Sequence, residues 1–247
     1  MSSSRLNLVL LPIVLAFVTS SVAQAHGDEE KTDEGAMKSH HELVHPFMAH
    51  MGMPDEPGET SLRVTSMQER NGQGSTGTYA FHIEAGIIDR VGLHLRNDGV
   101  GTRKNTELMV QYAVLKSESS SDGLALIGEV EFPTGPNAEN RGRGLLGISF
   151  ALTPVSVIGI NSVIHYGPEQ KMIDAEIAFV GRLTKTLFPV FELRGESSPG
   201  DMTTANSLFA CKFKVTPENT IGVAYQIPIL MARDYDSQLL MQAEFNF

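Results

Sequence analysis

The chain has 247 residues, 41% hydrophobic and 19% charged. That is too polar for a bundle of membrane helices and too apolar for a wholly disordered chain. A formal charge of −10 argues against binding nucleic acid, and the single cysteine, Cys211, excludes an internal disulfide or a cysteine-based zinc knuckle.

Residues 1–25 read as an export signal. Arg5 supplies the positive start, Leu6 to Val18 is apolar, and Ala23-Gln24-Ala25 is a small-x-small cleavage site. The apolar run is shorter than the roughly 20 residues a membrane-crossing helix needs. Cleavage would leave His26 first. No later stretch is long and apolar enough to cross as a helix, so the product is expected to be soluble or to span as a β-barrel.

The composition shifts over residues 26–59. Nine carboxylates face two lysines, and five of the eight histidines lie here. Such a leader is expected to be disordered when alone. Imidazole and thioether together suit soft or borderline ions. His40, His41, His45 and His50, with Met48, Met51 and Met53, are therefore candidate ligands for copper or a similar ion. A solvated linker is the alternative. The segment resembles the Met/His-rich leaders of copper-resistance proteins.

From residue 60 the pattern changes to a period of two. Leu108, Val110, Tyr112 and Val114 alternate with Glu107, Met109, Gln111 and Ala113. Ile173, Ala175, Ile177 and Phe179 alternate with Asp174 and Glu176, and Phe209, Cys211, Phe213 and Val215 alternate with Lys212 and Lys214. This is the signature of strands. Twelve such segments are expected, most about ten residues long, the length a tilted strand needs to cross a bilayer. Tight turns are predicted at Ile88-Asp89, Thr153-Pro154, Lys185 and Pro217-Glu218, with a longer one at Ser117–Asp122. Longer loops are predicted at Asn71–Gly77, Asn97–Asn105, Pro133–Gly142, Gly195–Ala205 and Met231–Tyr235, with a short one on the same side at Gly167–Gln170 that fits the pattern poorly. Short connections on one side and long ones on the other fit an outer-membrane barrel.

The final strand alternates apolar residues and ends on Phe247. It resembles the C-terminal signature that the barrel-assembly machinery of the bacterial outer membrane reads. Aromatics near strand ends (Tyr79, Phe132, Tyr166, Phe188, Tyr225, Phe245, Phe247) suit interfacial girdles. The fold expected is thus all-β, an antiparallel transmembrane barrel of about 12 strands over residues 60–247, with lipid as its surrounding and the leader in the periplasm. A soluble sandwich or ligand-binding barrel has the same alternation with its faces exchanged.

With the apolar face in lipid, the lumen would hold Glu84, Glu107, Glu129, Glu131, Asp174, Glu176, Glu192 and Glu244. Arg63, Arg96, Arg182, Arg194, Lys212 and Lys214 would face them, with His82, His94 and His165. These charges either brace a filled interior or line a path that favours cations.

The Glu131-Phe132-Pro133-Thr134-Gly135 strand exit, the Thr-Pro turns and the terminal Phe resemble the MetA-pathway phenol-degradation family of outer-membrane proteins. That resemblance implies a transporter of hydrophobic aromatic compounds. Three functions are carried forward: a passive channel for a small-molecule or ion solute, a metal-handling barrel, and an adhesin. An outer-membrane lipase is disfavoured, because His82, His94 and His165 fall on the lumen face and no G-x-S-x-G occurs. Cys211 reads as a small lipid-facing hydrophobe.

Overall fold

Residues 43–100, 105–117, 122–134, 142–169, 171–198, 203–230 and 235–247 are described in a computed structural model. The expected export signal and the leader to residue 42, with His40 and His41, lie outside them. Twelve antiparallel strands succeed one another around a closed barrel. They are β1 (Thr60–Asn71), β2 (Gly74–Ile88), β3 (Val91–Asn97), β4 (Asn105–Lys116), β5 (Gly123–Pro133) and β6 (Arg143–Val155). After them come β7 (Ile158–Gly167), β8 (Met172–Gly181), β9 (Leu187–Ser197), β10 (Thr204–Lys214), β11 (Asn219–Pro228) and β12 (Ser237–Asn246).

The last strand closes the sheet on the first, in register from Ser61 opposite Asn246 to Arg70 opposite Ser237. Thr60 and Phe247 exchange backbone hydrogen bonds of 3.2 and 2.8 Å at the end of that seam. Closure leaves no unpaired strand edge. The barrel mouth beside Thr60 and Phe247 is called the terminal end below, and the other the far end.

The direction of the two faces separates a membrane barrel from a soluble one. On β4, Leu108, Val110, Tyr112 and Val114 are 38–50% exposed, while Met109, Gln111 and Ala113 are at most 1% exposed. The same polarity recurs in Leu126 and Val130 of β5, Ile164 of β7, Phe209 and Phe213 of β10 and Val223 and Tyr225 of β11. A continuous outward apolar belt is untenable in water and natural in lipid. At about 3.3 Å per residue, strands this long and tilted by about 45° cross the roughly 25 Å apolar band. The barrel is a transmembrane one.

Three local expectations are corrected. Asn71–Gly77 is a tight hairpin turning at Gly72-Gln73, because the strands extend further than their apolar residues do; Gly74, with φ of 146°, takes a backbone that favours glycine. The Thr153-Pro154 turn moves to Ser156-Val157. Pro154 instead lies in a register irregularity between Leu152 and Val155, where its missing N–H costs no ladder bond. Phe188 is not in a girdle: it is on the inward register of β9 and 1% exposed.

The segment with a leader-like composition differs most from expectation. From Val44 to Asp55 it is buried inside the barrel. Average polarity masked a locally apolar stretch (Val44, Phe47, Met48, Ala49, Met51, Met53), and the lumen wall supplies partners that the segment lacks when alone.

Candidate functional site: the filled lumen

Residues 43–56 thread the bore as an irregular loop, so their backbone groups need partners from the wall. The wall provides them. Glu192 accepts the N–H groups of Phe47, Met48 (3.0 Å) and Ala49 (3.1 Å). Glu176 accepts from the backbone N–H of His50 and contacts its Nδ1, both at 3.0 Å. Asn161 Oδ1 accepts from Gly52 N. The carbonyls are met in turn: Arg63 donates to Pro46 and Ala49, Lys212 to His45 and Pro46, Gln242 to Phe47 and Gln111 to Met51. Carboxylates accepting backbone N–H groups form strong, short bonds in a dry setting.

Apolar packing completes the seat. Val44, Phe47 and Met48 join Met67, Ala80, Val180, Phe188, Val190, Leu208, Ala224 and Leu240 in one buried cluster. Met53 packs elsewhere, against Ala113, Ala125 and Ala151. Wall glycines make room where the loop presses closest. A Cβ at Gly222 would lie 2.7 Å from Phe47 Cε2, and one at Gly86 would lie 2.0 Å from Glu56 O. Gly86 also exchanges backbone bonds of 2.9 Å with Gly58 and Glu59, strapping the loop to β2 just before β1 begins.

Around His50 lies an ion-pair network. Arg96 reaches Glu176 (3.3 Å), Glu107 (3.5 Å) and Asp98. Arg194 bridges Glu176 (2.7 Å) and Asp98 (3.3 Å). The His50 ring lies 6.0–6.4 Å from those of His82, His94 and His165. Burial holds His50 below the ordinary imidazole value, with Arg96 adding to it against the pull of Glu176. His45 shifts the other way: burial opposes its charge, but Glu244, Asp55 and Glu84 together outweigh it.

Glu84 meets Arg63, and its Oε1 lies 3.4 Å from His94 Nδ1. Glu129 lies 3.4 Å from His165, and Glu131 binds Arg143 at 2.5 Å. Asp174 lines a cavity of about 230 Å³ at the far end, with Glu69, Asp98, Arg194 and Glu196. Lys212 is fully buried on Glu244, Lys214 is half-buried at the terminal mouth, and Arg182 is half-exposed just past β8. The five described leader ligands do not converge. His45 and His50 have separate partners, Met48 and Met53 sit in separate clusters, and Met51 is buried with its carbonyl on Gln111.

Asp98, Arg143, Phe47 and Asp55 were not singled out in the sequence. A signal for the filling was present: Gly92, Gly123, Gly159 and Gly222 all occupy inward positions, leaving space for something other than wall.

No protein-family model matches the chain, and no curated protein does. Solved structures do. An outer membrane channel from Pseudomonas putida F1 aligns with a TM-score of 0.59 at 10% identity, over 83% of this chain and all of that one. The NanC porin aligns with a TM-score of 0.55 at 10% identity, over 76% of this chain and 98% of that one. The fold is that of outer-membrane channel barrels.

Proposed function

We propose that this protein is an outer-membrane channel for small polar or charged solutes, closed in the present state by its own residues 43–56. One observation carries the reading: a polar bore is filled by a segment that is not wall and is tethered at one end. Passage is passive and begins when that plug leaves. The short turns at the terminal end match the periplasmic side of bacterial barrels, so the plug would enter from the periplasm. The Phe247 strand, seam partner of β1, is the part the assembly machinery would read.

The charged wall favours ions and polar solutes. A second reading, hydrophobic aromatic solutes as the family resemblance implies, draws on the apolar seat of Val190, Leu208 and Leu240 that Phe47 would vacate.

Planar-bilayer conductance of residues 26–247 tests both. The intact chain is expected to open rarely, and the same chain lacking residues 43–56 to conduct steadily with cation preference. Aromatic alcohols that block the deleted channel would favour the second reading. A deleted barrel that inserts, resists trypsin and never conducts would remove the channel altogether.

A further inference from the structure

The two ends of the plug return to one place. His45 and Asp55 meet against Glu84 of β2, and one ligand atom from each lies within 4.8 Å of the others. The three are 7%, 7% and 2% exposed. His45 Nε2 is 3.7 Å from Asp55 Oδ1. That is too long for a hydrogen bond, but close to the roughly 3.4 Å edge of a tetrahedron with bonds of about 2.0–2.1 Å.

Second contacts point the same way. His45 Nδ1 lies 3.0 Å from Glu244 Oε1, and Lys212 holds the other oxygen of Glu244 at 2.5 Å. A carboxylate behind the imidazole is the usual support of a metal-bound histidine. Glu84 spends Oε1 on Arg63, whereas its buried Oε2 has no hydrogen-bond partner among the described residues. Asp55, Glu84 and Glu244 outnumber Arg63 and Lys212, leaving net negative charge for a cation. A cavity of about 380 Å³ at the terminal mouth, lined by His45, Asp55 and Glu244, gives access.

We propose that His45, Asp55 and Glu84 bind a divalent transition-metal ion that staples both ends of the plug to the barrel wall. One imidazole and two carboxylates, with no sulfur, suit Zn(II), Ni(II) or Mn(II) rather than Cu(I) or Ag(I). The ion is therefore not the soft cargo that the Met/His composition suggests, and Met48 and Met53 take no part. The proposal rests on reading residues 43–56 as a plug, and it makes release of that plug depend on metal.

The test uses the mature chain in detergent, stripped with a chelator and titrated with Zn(II) by calorimetry. Asp55→Asn and His45→Gln are compared with it, each first checked for a trypsin-resistant barrel; Glu84 is left intact because it also holds Arg63. One Zn(II) per barrel is expected, with affinity at least tenfold weaker in each variant. Zn(II) should also protect the plug from protease in the parent and not in the variants. Zn(II) affinity unchanged in both variants would put the ion elsewhere and overturn the site, as would no binding to the folded parent. Conductance keeps the two readings apart. If deletion of residues 43–56 fails to conduct while Zn(II) binding still needs Asp55 and His45, the channel falls and the metal site stands. If the deletion conducts while the variants bind like the parent, the metal site falls and the channel stands.

Discussion

The plug is held by two kinds of contact. The side chains of Val44, Phe47 and Met48 rest on aliphatic and aromatic wall, where stabilisation comes from buried area and fit. Around Ala49 and His50, the contacts are carboxylates and guanidinium groups on backbone and imidazole. The first kind resists salt and pH and yields to changes of shape. The second resists small changes of shape and yields to changes of charge. If residues 43–56 are to leave the bore as proposed, the second kind of contact supplies the trigger, because burial alone has none.

Truncating the apolar contacts should have the largest effect. Phe47→Ala is expected to weaken docking by about 3–5 kcal/mol, on the order of a hundredfold or more in open fraction, with little dependence on salt. Single-channel recording at two salt concentrations measures both. Gly222→Ala follows at about 1–3 kcal/mol, since its Cβ meets the Phe47 ring. The double variant should fall short of the sum, because removing the ring removes the clash. Additive effects would mean that Gly222 acts on something other than Phe47.

Among the charged contacts, Glu192→Gln keeps an acceptor but loses the charge assistance to three N–H groups. About 1–2 kcal/mol is expected, read as faster protease cleavage within residues 43–56. The smallest effect is that of pH. His50 is held below its free value, so its contribution is whole above about pH 6.5 and declines as pH falls below that. In the metal-free protein His45 is held above its free value, so its contribution is whole below about pH 6.5 and is lost as pH rises through the docked value. Docking should therefore be tightest near neutral pH. In His50→Gln the weakening on the acid side should be reduced, and an unchanged acid limb in that variant would contradict the assignment.

Much of the barrel was legible because each strand faces two solvents, and a period of two reports that directly. Leu108 to Val114 and Phe209 to Val215 show the alternation without any tertiary knowledge. The plug was not legible for the opposite reason. Phe47 and Glu192 are 145 positions apart in sequence, and the seat draws on residues from seven strands. Composition over residues 26–59 averaged an acidic start with an apolar centre, and the average concealed the part that docks. The meeting of His45, Asp55 and Glu84 depends on the loop turning back on itself inside a wall that only the closed barrel provides.

If residues 43–56 leave the bore as proposed, the strap at Gly86 fixes how fast the channel can shut. Because Glu56 is anchored immediately before β1, a released arm from Leu43 to Glu56 reaches roughly 45–50 Å at full extension and never diffuses away. Re-entry is then a unimolecular search at an effective concentration in the millimolar range, independent of how many copies the membrane holds. Closing is set by the tether and opening by the contacts, so substitutions in the seat should lengthen or shorten closed times while leaving open times nearly constant.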